Sequence, residues 1–173
     1  TRDLIRRLNL AAITVLNNKG NILPLHSDKE MPPMALLEVG DAGETDVLAK
    51  QLEKHTSLVR FRLHKEMTEA QGKVLRDSLS KYRRVIVAVA EQRLAPFQPF
   101  FAALAADKQA AKAIYVFFTP GKMMLQIHRA VSAAQSVVLA HSAGHDVQQQ
   151  VADVLFARAS ADGRLSASLG GLF

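Results

Sequence analysis

The chain has 173 residues, 49% of them hydrophobic, which suits one folded domain with a sizeable core and argues against disorder. It has no Cys, so disulfides and thiolate metal sites are excluded without the compartment being decided, and no apolar run approaches the roughly 20 residues of a membrane span. The net charge of +6 raises the question of nucleic acid, but the basic residues are spread out, and two Tyr with no Trp leave little on which single strands could stack.

In chain order, Leu4, Ile5, Leu8, Ala12, Val15 and Leu16 recur at helical spacing and predict an N-terminal helix. Asn17, Asn18 and Gly20 stop it, and Pro24 begins an extended segment, so that 1–33 precedes the regular part of the fold. The chain opens Thr-Arg-Asp-Leu, with neither an initiator Met nor a signal peptide, and is expected to be a piece excised from a longer protein. Residues 34–173 then read as strand–helix units. "MALLEVG" (34–40) is a strand closed by Gly, and "ETDVLAKQLEK" (44–54) a helix. "SLVRFRL" (57–63) alternates Val59, Phe61 and Leu63 with Arg60 and Arg62, which puts the apolar side chains on one face of a strand and the basic ones on the other. That basic face is expected to be solvated, with a phosphate-binding patch as the alternative.

"TEAQGKVLRDSLSKY" (68–82) is a helix with Thr68 as its cap. "RVIVAVA" (84–90) and "AIYVFFT" (113–119) are unbroken apolar runs, as expected of strands buried on both faces. Between and after them, 96–106 and 121–131 are predicted helical, the second with Met123, Met124, Ile127 and Val131 on one core-facing side. "SVVLA" (136–140), a helix over 145–157 and a short last strand over 163–169 complete the series. Five alternations with short links predict a doubly wound α/β three-layer sandwich, with a mostly parallel sheet of five to six strands, as a single domain over 1–173.

In such a sheet ligands collect at the carboxyl ends of the strands, which singles out Asp41, Glu91, Arg93, Thr119, His141 and Ser142. "AHSAG" (140–144) is one residue short of a Gly-x-Ser-x-Gly nucleophile elbow, but the only later His is His145, three residues on, and no oxyanion segment occurs. Ser142 is therefore expected to cap the following helix. His141 and His145 lack the Glu of a His-Glu-x-x-His zinc site, and "TPGKMM" lacks the glycines of a phosphate loop. The acidic residues of a receiver domain are missing as well. Asp41 and Glu91 could form a carboxylate pair for glycoside hydrolysis, although loop carboxylates are commonplace. Judged on its own residues, the chain has no complete catalytic set and no metal site.

The two ends look more definite. "AAITVLNNKGNILPL" resembles the segment that opens the C-terminal α/β domain of glycoside hydrolase family 3. Asn18 and Leu23-Pro24-Leu25 match, and Asn17 stands where Lys is usual. "VADVLFARASADGRLSASL" resembles the family's Ala-x-x-Leu-Phe-Gly and Gly-x-Leu-Pro-Val-Ser. Leu155, Phe156, Gly163, Leu165 and Ser168 match, while Ala157 replaces Gly and Ser166 replaces Pro. The resemblance implies a partner N-terminal β/α barrel in the same parent chain, carrying the Asp nucleophile of a retaining reaction on a carbohydrate substrate. In the β-glucosidase branch, this domain lends the acid/base Glu from a loop reading Glu-Gly-x-Asp-Arg. Here "VAVAEQRLAPFQPFFAAL" keeps Glu91 and Arg93 but not the Gly or the Asp, so that role does not carry over onto Glu91. The short loop is more similar to the β-N-acetylglucosaminidase branch, in which the barrel supplies the acid/base and this domain is accessory.

The resemblance thus implies action on N-acetylglucosamine in cell-wall or chitin-type glycans, no cofactor, and a periplasmic or secreted parent. Asp41, Glu91, Arg93, Thr119 and His141 remain as substrate-rim or interdomain candidates. The alternatives are the β-glucosidase branch and a stand-alone α/β module binding a small ligand.

Overall fold

The computed structural model describes residues 13–19, 23, 25, 30, 32–106 and 112–156. The apolar runs form the strands β2 (Met34–Val39), β3 (Leu58–Leu63), β4 (Val85–Val89), β5 (Ala113–Phe117) and β6 (Ser136–Leu139). All of these pair in parallel. A further strand, β1 (Thr14–Asn18), runs antiparallel to β6, and the sheet order is β1-β6-β5-β4-β2-β3. The helices are α1 (Asp46–Glu53), α2 (Glu69–Leu79), α3 (Gln98–Ala106), α4 (His128–Ala133) and α5 (His145–Leu155).

Strand alternation sorts the core into two layers. On β4, Val85, Val87 and Val89 join Leu75 and Leu79 of α2, Phe101 and Leu104 of α3 and Val131 of α4. Ile86 and Ala88 point the other way, to Leu48 and Leu52 of α1 and Val151 and Leu155 of α5. The sheet is thus covered on both faces, as parallel strands require.

Thr68 caps α2 as expected. Its hydroxyl accepts from the Gln71 N–H at 3.2 Å, and the Gln71 carboxamide accepts from the Thr68 N–H at 3.0 Å. This reciprocal capping box is worth about 1 kcal/mol. At the other end of α2, the Lys112 ammonium donates to the carbonyls of Leu79 and Tyr82, where the helix dipole favours a cation.

Three local expectations are corrected. Thr14–Asn18 is a strand rather than the end of a helix, while 4–12 lies outside the described residues. Leu16 packs on one core layer and Val15 on the other, an alternation that pairing with β6 imposes. A bulge between Val15 and Asn17 disturbs the period-two signal. Secondly, the helix expected over 121–131 begins as a 3₁₀ segment over 121–127 that leads into α4, while 96–106 is helical as expected, a 3₁₀ turn over 95–97 leading into α3. Met124, Ile127 and Ala130 are buried three residues apart, the spacing at which 3₁₀ side chains line up. Thirdly, Ser142 is exposed and does not cap α5. Gly144 occupies the cap position, without a side-chain bond. The chain turns instead at His141, whose φ of 68° lets the Ser142 N–H donate back to the Ala140 carbonyl at 2.8 Å. The helix therefore starts beyond the reach of Ser142. The strand expected over 163–169 lies outside the described residues.

The two end motifs meet in space. The Asn18 carboxamide pairs with both backbone groups of Leu23, at 3.1 Å each, and its oxygen also accepts from the Ser136 hydroxyl. Leu23 and Leu25 are buried, and the Leu25 N–H donates to the carbonyl of Leu155 at 2.6 Å. The next residue, Phe156, stacks on the buried ring of His55, with centroids 4.6 Å apart. The residues that carry the family resemblance therefore fasten the start of the fold to its last described helix.

Candidate functional site

The five parallel strands end in one row, Leu63, Val39, Val89, Phe117 and Leu139 being register partners across the sheet. Two residues further along each strand stand Lys65, Asp41, Glu91, Thr119 and His141. At about 4.8 Å per strand this edge is about 19 Å long. Four of the five candidate residues thus share one edge of the sheet.

The chain leaves β2 towards β3 on one side and returns to β4 on the other, so a crevice opens between the carboxyl ends of β2 and β4. A cleft of about 290 Å³ lies there, lined by Gly40, Asp41, Arg62, Lys65 and Glu91, among others. Asp41 and Glu91 are brought together in it. Arg93 and His141 do not line it and are exposed, and Thr119 is buried, its hydroxyl without a hydrogen-bond partner among the described residues. Arg62, on the strand face expected to be solvated, lines the cleft together with His64 and Lys65. The signal that places Lys65 at the cleft is register, since it stands as far past β3 as Asp41 does past β2.

The β2 loop has a defined shape. Gly40 has φ 148° and Gly43 φ 85°, both in the region that favours glycine. A Cβ on Gly40 would lie 2.9 Å from Glu44 Oε2 and 3.3 Å from the Ala90 Cβ. The Glu44 carboxylate accepts from the Asp41 N–H at 3.1 Å, and Arg62 Nε donates to the Gly40 carbonyl at 3.3 Å. Behind the loop, the Arg60 guanidinium grips both oxygens of Glu38, at 2.5 and 2.8 Å, and donates to Asp46 at 2.5 Å. The Thr45 hydroxyl completes the group on Glu38 at 2.7 Å. The bond from Arg60 holds the Asp46 carboxyl below its ordinary range, and the carboxylates, Glu38 foremost, raise the guanidinium further. Arg60 is therefore committed to the ion pairs with Glu38 and Asp46, which argues against a phosphate patch there.

Gln148 holds the same loop from α5, the helix that packs beside α1. It is buried, and its carboxamide stands inside the backbone ladder of α1. Its oxygen accepts from the Leu48 N–H at 2.9 Å, while its nitrogen donates to the Glu44 carbonyl at 2.9 Å and to the Ala143 carbonyl at 2.7 Å. One side chain thus ties the β2 loop to the turn after β6.

The β4 loop is equally fixed. The N–H groups of Ala90 and Glu91 both donate to the Val39 carbonyl, at 2.9 and 3.1 Å. The Glu91 carboxylate turns back onto its own chain and accepts from the Arg93 N–H at 3.0 Å. The Gln126 oxygen accepts from the Leu94 N–H at 3.0 Å, and its nitrogen donates to the Gln92 carbonyl at 3.2 Å. Leu94 is fully buried. The cleft offers cationic donors and carboxylate acceptors to a polar ligand. Among the described residues there is no group of three or more His, Asp or Glu that could hold a metal ion.

No protein-family model matches the sequence, and no curated protein matches it. Solved structures do match. A fungal multi-domain GH3 β-N-acetylglucosaminidase superposes with a TM-score of 0.76 at 16% identity, over 94% of this chain and 18% of its own. A glycoside hydrolase family 3 β-N-acetylglucosaminidase from Paenibacillus sp. gives 0.69 at 19% identity, over 94% and 31%. A β-glucosidase from Listeria innocua gives 0.71 at 12%, over 91% and 25%. The chain spans less than a third of each of these proteins, and it has the fold of a domain within family 3 glycoside hydrolases.

Proposed function

We propose that this chain is the accessory α/β domain of a retaining β-N-acetylglucosaminidase of glycoside hydrolase family 3, with the catalytic residues on a β/α barrel elsewhere in the parent chain. The observation that carries the reading is the β4 loop. It spans only a few residues between Val89 and the 3₁₀ turn at Ala95, its backbone is bonded to Val39 and Gln126, and its one Glu is bonded to its own chain. A loop held in this way has no arm with which to carry Glu91 out to a sugar bound on another domain. The end motifs and the shared fold support the family. In this reading Asp41, Glu91 and Lys65 form a rim facing the barrel, while Thr119 and His141 have lesser parts along the same edge and Arg93 stands beyond it, on the β4 loop.

Assay of the isolated chain on a chromogenic N-acetylglucosaminide tests the reading. The expected result is no turnover above the buffer rate. Turnover abolished by Glu91→Gln or Asp41→Asn would overturn it. So would a gene-encoded sequence upstream of Thr1 in which no barrel is found.

A further inference from the structure

A second groove, of about 480 Å³, lies on the other side of His64 and Lys65, between α2 and α3. It falls within the ordinary size range of small-molecule sites. It exists because the facing helix positions are small, with Gly72 on α2 and Ala103 on α3. Its floor is apolar, with Leu63, Phe97 and Phe100 buried and Met67 packed against the same core layer. Its mouth is polar. Neither the His64 imidazole nor the Lys65 ammonium has a hydrogen-bond or ion-pair partner among the described residues. Lys65 and His64 stand at this mouth with their donors unspent, beside Glu69 and Arg76 of α2.

We propose that this groove binds a small amphiphilic monoanion, a carboxylate carrying an aryl or acyl body. The body lies on Phe97 and Phe100, and the carboxylate takes hydrogen bonds from Lys65 and His64. An apolar floor without the cations would accept a neutral guest equally well, and cations without the floor would hold only a diffuse ion. Their juxtaposition selects a ligand with both parts. The groove shares His64 and Lys65 with the carboxyl-edge cleft, and the inference does not rest on the accessory role proposed above.

The test is titration of the ¹⁵N-labelled chain with naphthoate and, separately, with neutral naphthamide, followed by amide chemical shifts. Naphthoate is expected to shift residues 63–72 and 97–103, and naphthamide to bind about tenfold more weakly, as loss of a charge-assisted hydrogen bond implies. Lys65→Gln should remove that preference. Gly72→Leu should abolish binding by filling the groove. Its Cβ would sit at an ordinary 3.7 Å from Phe100, and Leu favours the helix, so the variant should fold. Equal binding of the two probes, shifts centred elsewhere, or binding unchanged by Gly72→Leu would each overturn the proposal.

Discussion

Replacing Gln148 by Leu keeps the side-chain volume but removes three hydrogen bonds at once. The Leu48 N–H loses its acceptor, and the carbonyls of Glu44 and Ala143 lose a donor. Glu44 is exposed and Ala143 half-buried, so water can reach their carbonyls. Leu48 is fully buried, and the new side chain would keep its N–H from closing onto Glu44. One buried unpaired donor costs about 1–3 kcal/mol, and the two exchanged bonds add about 0.5–1.5 kcal/mol each, for a total of about 2–6 kcal/mol. Urea denaturation of both proteins measures this. Amide hydrogen exchange should quicken first at 44–48 and 143–148. A loss below about 0.5 kcal/mol, within the range of an ordinary surface substitution, would refute the reasoning.

Arg60→Gln should raise the Asp46 titration, followed by carboxyl NMR, back towards the ordinary carboxylate range. The bond from Arg60 is the main cause of its depression. Because the folded value lies below the unfolded one, this group's contribution is present above the unfolded value and is lost as pH falls through the folded one. Arg60→Gln should therefore flatten the acid limb of stability against pH, and an unchanged limb would count against the ion pair. Phe156→Ala should cost about 3–5 kcal/mol in urea, as for a buried aromatic. Asn18→Ala should cost about 1–3 kcal/mol by losing both bonds to Leu23. Gly40→Ala should cost about 1–3 kcal/mol, because its backbone lies where side chains are strained, and its largest shift changes should fall at 41–45 and 90–91.

The parallel sheet was legible because β4 and β5 are buried on both faces and so read as unbroken apolar runs. The cap at Thr68 was legible because a capping box is made within four residues. β1 was not. Its partner lies more than a hundred residues away, and a five-residue strand with a bulge matches helical spacing as well as alternation. The turn at His141 was hidden because a positive φ at a residue other than Gly leaves no mark in composition. The carboxyl-edge rule found Asp41 and Glu91, whereas Lys65 needed the register of β3 against β2. Gln148 reads as a surface residue of an amphipathic helix, and only the approach of α1 shows it to be buried. The matched end residues pointed to a family, and their physical task is to fasten the ends of the fold: Asn18 hydrogen-bonds to Leu23, the Leu155 carbonyl accepts from Leu25, and Phe156 stacks on His55.

The most direct test of the accessory role is Glu91→Gln in the parent chain that the proposal expects, with kcat/KM measured on an N-acetylglucosaminide. If the barrel supplies the acid/base, the value should stay within about threefold of the unaltered enzyme, the scale of a rim contact worth less than about 1 kcal/mol. A fall of about a hundredfold or more, as loss of a general acid produces, would place the chemistry on this domain and contradict the account.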